Sequence, residues 1–71
     1  MATEEATRWY VPAYRTPEGR IARMGTPTVE REYAEHEAET IRRAEAAYPD
    51  GNPDGIFVAT RLEHPWTEAT R

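Results

Sequence analysis

Residues 7 to 23 read TRWYVPAYRTPEGRIAR, two alternating apolar runs around a turn. Trp9, Val11 and Ala13 alternate with Tyr10, Pro12 and Tyr14, the two-residue period of a β-strand over Thr7 to Arg15. Pro12 has no N–H to give to a ladder, so the strand is an edge or is bulged there. Thr16-Pro17-Glu18-Gly19 then carries Pro at the second turn position and Gly at the fourth, which is type I turn chemistry. Arg20 to Met24 reads as the returning strand.

Outward from this hairpin, Gly25-Thr26-Pro27-Thr28 breaks the strand and opens a helix. Thr26 is a candidate cap with Pro27 in the first helical position, and Thr28 is the alternative cap. The helix is expected to run to about Tyr48. Val29, Tyr33, Ala34, Ala38, Ile41, Ala44, Ala47 and Tyr48 fall on one half of its wheel. Glu32, Glu35, His36, Glu39, Arg42 and Arg43 fall on the other, with Glu39 and Arg43 in the favourable i, i+4 order. Glu37 breaks the apolar arc; it sits at the sheet margin or meets Arg23 or Arg61. Asp50 to Gly55 is turn material, and Ile56 to Leu62, IFVATRL, is the second strand-rich run.

The order is therefore β-β-α-β, an α+β domain of three strands with one helix packed on one face. A right-handed crossover sets the third strand parallel to the second, and the simplest sheet order is 2-1-3. Residues 1–6 read as a flexible tail, 7–63 as the single domain and 64–71 as a C-terminal tail. Val11, Ile21, Ile56, Val58 and Leu62 are expected to face the helix. Tyr10, Tyr14, Met24, Phe57 and Arg61 then point away.

Composition bounds the function classes. The chain has 71 residues, no cysteine and a formal net charge of −4. It is one domain at most, with no disulfide and no thiolate metal site, which fits a reducing cytoplasm. The N-terminal residues carry no apolar run, and no segment approaches the ~20 apolar residues of a membrane span. All nine basic residues are Arg; with abundant Ala and scarce Asn and Ile, this composition points to a high-GC genome. Over residues 8 to 25, Arg8, Arg15, Arg20 and Arg23 face Glu18 alone, whereas the helix is acidic. Such a dipolar charge distribution steers partners.

No catalytic, cofactor-binding or metal-ligating residue is assigned. Asp50, Asn52, Asp54 and Gly55 look like the opening of an EF-hand calcium loop. The twelfth position, which needs a bidentate Glu, is Arg61, and a strand follows in place of a helix; an ordinary solvated turn is expected. His36 has Glu32 and Glu39 one turn either side but offers a single imidazole, and His64 has no visible partner. There is no Ser or Cys for nucleophilic catalysis. The helix carboxylates lie on a solvated face without the burial that tunes a general acid. The chain also lacks the mass to wall off a substrate pocket. A small-molecule substrate, a cofactor and an enzymatic role are not expected.

The stretch from Arg8 to Asp50, RWYVPAYRTPEGRIARMGTPTVEREYAEHEAETIRRAEAAYPD, resembles many short, uncharacterised proteins of actinobacteria and their phages. The likeness lies in its rhythm: an aromatic strand, a Gly turn, an Arg-rich strand, G-x-P, then an Ala/Glu/Arg helix. The resemblance implies a small accessory protein, and no active residue carries over. The residues themselves point to binding. Tyr10, Tyr14, Phe57 and Arg61 form an aromatic/Arg sheet face, with Trp66 beside it as a further contact or as a lid. A protein partner or self-association is the first expectation. A single-stranded nucleic acid stacked on the same face is the alternative, and a structural subunit of a larger, possibly virion, assembly is the third.

Overall fold

The computed structural model describes residues 6 to 69. The expected tail over 1–6 thus lies, but for Ala6, outside the described residues, as do the last two residues of the expected C-terminal tail. The elements are β1 (Thr7–Arg15), β2 (Ile21–Arg23), α1 (Arg31–Ala46), a 3₁₀ turn (Pro53–Gly55) and β3 (Phe57–Glu63). They build a small α+β fold of order β-β-α-β. The sheet order is β2-β1-β3, and β1 runs antiparallel to both neighbours. β2 and β3 therefore run the same way, as the crossover argument requires.

The hairpin turn closes as Pro17 and Gly19 demand. Gly19 N–H donates to Thr16 O at 2.8 Å and Thr16 N–H to Arg20 O at 2.8 Å, with Gly19 at φ 85. This is a type I turn followed by a left-handed residue, where a side chain would be strained.

Pro12 stands in the central strand and is fully buried. The hydrogen-bond pattern explains how. Tyr10 exchanges both backbone bonds with Thr28 at 2.8 Å, and Met24 N–H donates to Pro12 O at 2.8 Å. The even residues of β1 thus turn their backbone groups toward β2, and the odd ones toward β3. The missing N–H of Pro12 falls on the β2 side. There, four residues from Met24 to Pro27 lie opposite only Val11 and Pro12, forming an extended bulge. No bond to β3 is lost.

The helix begins later than its capping residues suggest. Neither Thr26 nor Thr28 caps it; Glu30 is the N-cap, without a side-chain capping bond. Thr28 cannot serve because Tyr10 holds its backbone in an extended bridge, and its hydroxyl instead accepts from Glu30 N–H at 3.2 Å. The buried stripe is also narrower than the apolar arc. Ala34 and Ala38 are fully buried, while Tyr33 and Tyr48 are 54% and 69% exposed. Two alanines let the helix press closely on the sheet, and that closeness leaves the larger flanking side chains outside. Glu39 does pair with Arg43, at 3.6 Å.

Candidate functional site

Register decides which side chains share a face. Val11 pairs with Ala59, Ala13 with both Phe57 and Arg23, and Arg15 with Ile21. Odd-numbered residues of all three strands therefore lie together on one face. Tyr10, Pro12, Tyr14, Val58 and Thr60 lie on the other.

The even face carries the helix. Arg31 of α1 lines a hollow with Tyr10 and Val58, and Glu45 lines another with Tyr14 and Ile56. Arg42 donates from Nε and Nη2 to Ile56 O at 3.2 and 2.9 Å, tying the helix to the start of β3. The expected inward set is thus right for Ile56 and Val58 and reversed for the hairpin; Leu62 shares their face but is 45% exposed. Val11 and Ile21 face away from the helix, whereas Tyr10, Tyr14 and Met24 face toward it. The hairpin is consistent within itself but turned over relative to β3, because both alternating series of β1 are apolar.

The odd face holds a hollow of about 320 Å³ lined by Trp9, Val11, Ile21, Arg23, Pro27 and Arg61, among others, with no helix residue in its lining. Val11, which lines it, and Ala13 on the same face are 7% and 0% exposed. Their neighbours do the covering. The Arg15 guanidinium lies over the Phe57 ring at 5.9 Å, and Trp9 and Phe57 are half-buried. The indole Nε1 of Trp9 is buried without a hydrogen-bond partner. Arg15, Arg23 and Arg61 are exposed on this face, and the acid there is Glu63, 3.2 Å from Arg61.

Of the residues expected to bind a partner, Phe57 and Arg61 lie on this open face; Tyr10 and Tyr14 lie on the helix-bearing face, where Tyr14 is still 40% exposed. Trp66 is 99% exposed and covers neither face. Sequence reasoning missed Trp9 and Ile21 as face residues, and read Arg15 and Arg23 only as phosphate contacts of the nucleic-acid alternative. The signal for them was the parity of the β1–β3 pairing, which the alternation of β1 does not carry.

Two other expectations concern single residues. Glu37 is half-buried, its Oε1 has no partner, and its Oε2 lies 3.9 Å from where a Cβ on Gly25 would stand. Neither Arg23 nor Arg61 reaches it, because both sit on the opposite face of the sheet. In the Asp50–Gly55 turn, Asn52 N–H donates to Glu45 Oε2 at 3.4 Å. Among the described residues, no three His, Asp or Glu side chains converge as a metal-holding group. Among them, too, no helix is long and apolar enough to cross a membrane. No family model, curated protein or solved structure matches the chain.

Proposed function

We propose that this chain is a small, non-catalytic, cytoplasmic accessory protein that binds an acidic, apolar segment of a protein partner on its odd sheet face. The observation that carries the reading is the pairing of an uncovered apolar hollow with three arginines on one face. An apolar side chain of the partner enters the hollow lined by Trp9, Val11 and Ile21. Carboxylates beside it meet Arg15, Arg23 and Arg61, which present planar donor forks suited to them. Aromatic and Arg side chains are also the types that supply most of the binding energy at protein interfaces.

Single-stranded nucleic acid is the second reading, because bases could stack on the same two aromatic rings while the arginines meet phosphates. Capture from a cell lysate separates the two. The baits are the wild type, Phe57→Ala and Arg23→Glu, each with and without nuclease. A protein that survives nuclease with wild-type bait and is lost with both variants is the expected result. Recovery lost on nuclease treatment, and falling steeply with salt, favours nucleic acid. Equal recovery by all three baits rules out the odd face as the binding surface.

A further inference from the structure

The two outer edges of the sheet are built differently. β2 is only three residues long and runs into the Met24–Pro27 bulge, two devices that keep foreign strands away. β3 is seven residues long and contains neither Pro nor Gly. Its odd residues turn their backbone groups toward β1. The N–H and C=O groups of Val58, Thr60 and Leu62 therefore point outward, and among the described residues nothing pairs with them. Leu62 is 45% exposed beside them.

We propose that this edge receives the same segment of a second copy of the chain, running antiparallel and centred on Leu62. One register satisfies every feature of the segment. Arg61 then stands opposite the partner's Glu63, and Glu63 opposite the partner's Arg61, so the exposed ion pair of each copy becomes part of a four-charge cluster. Leu62 meets the partner's Leu62, and Thr60 meets the partner's His64. Pairing extends the strand past Glu63, where β3 ends; Pro65 then falls at a position whose missing N–H points away from the partner, so it costs no bond across the new ladder. Val58 stands opposite the partner's Trp66. A hollow of about 270 Å³ lined by Arg8, Tyr10, Arg31, Val58 and Thr60 lies on that same face. The fully exposed indole of each tail is seated there, against apolar surface and two guanidinium groups.

Charge selects the edge over the odd face for self-association. Stacking two odd faces would bring Arg15, Arg23 and Arg61 against their own copies, whereas the β3 edge pairs unlike charges. The two-fold axis stands perpendicular to the sheet, so both helices lie on one side and the odd faces form one continuous surface. Two indoles of roughly 150–250 Å² each supply a sizeable share of the ~1,200 Å² that a specific interface buries.

The test is sedimentation equilibrium of the whole chain, joined to residue-resolved amide exchange. A dimer is expected, with the amides of Val58, Thr60 and Leu62 protected alongside those of Ala59 and Arg61. Trp66 is almost wholly exposed in the single chain, so Trp66→Ala leaves the monomer fold intact. It is expected to weaken the dimer by roughly 30-fold or more, the scale of an interfacial Trp anchor. Leu62→Lys, checked by its melting curve, is expected to be monomeric. A wild type that stays monomeric at about 100 µM, a dimer unaffected by both variants, or a dimer whose Val58, Thr60 and Leu62 amides exchange freely would each overturn the proposal. None of these readings depends on the odd-face partner.

Discussion

Two faces of one strand are buried here by different means. On the even face of β1, Pro12 is covered by a helix that presents Ala34 and Ala38. On the odd face, Val11 and Ala13 reach the same burial under the side chains of their own sheet neighbours. The first arrangement is interlayer packing, close and unforgiving of volume. The second is a canopy of long side chains whose outer surface is solvated and can move aside. Equal burial therefore conceals unequal tolerance, and the tolerant face is the one with room for a partner.

Paired substitutions sharpen that contrast most. Ala38 and Ala13 are both 0% exposed. Ala38→Leu is expected to cost about 1–3 kcal/mol by overpacking the helix against the sheet. Ala13→Leu, on the face covered by side chains alone, is expected to cost less than about 1 kcal/mol on the same scale. Chemical denaturation measures both, and equal costs would mean that the canopy is as rigid as the helix layer.

Arg42→Met comes next. It keeps most of the side chain's packing volume but removes two donors from the part-buried Ile56 carbonyl. A loss of about 1–2 kcal/mol is expected. A change within error would assign the helix's docking wholly to its alanines.

Glu37→Met is expected to act in the opposite direction, raising stability by about 1 kcal/mol. It replaces a buried carboxylate oxygen that has no partner with an apolar group of similar length. A melting temperature below the wild type's would show that Glu37 is satisfied by water at the bulge.

The same contrast explains what could be read in the residues. The hairpin turn was legible because Pro17 and Gly19 fix its geometry locally. The crossover rule gave β3 the direction of β2, and the simplest sheet with that direction puts β1 in the middle. The face of β3 was legible because Ile56, Val58 and Leu62 differ in polarity from Ala59, Arg61 and Glu63, so Phe57 and Arg61 were placed outward by contrast alone. No such contrast exists in β1, where Trp9, Val11 and Ala13 are as apolar as Tyr10, Pro12 and Tyr14. Its orientation is set by register with a strand far along the chain, and long-range register leaves no periodic mark. The helix start was obscured for a related reason: the backbone of Thr28 is held by Tyr10, a contact outside any local window.

Among the described residues the central strand comes first, and its pairing with β3 joins Ala13 to Phe57 and Thr7 to Glu63. During synthesis the hairpin can close early, since β1 and β2 are joined by a short turn. One side of β1 must then wait, unpaired, until the helix and the last strand have left the ribosome. Completion of the sheet is thus a late, non-local event whose loop-closure cost falls at the end of folding. Pro12 turns its missing donor toward the early partner, so every odd-residue backbone group is kept for the late one.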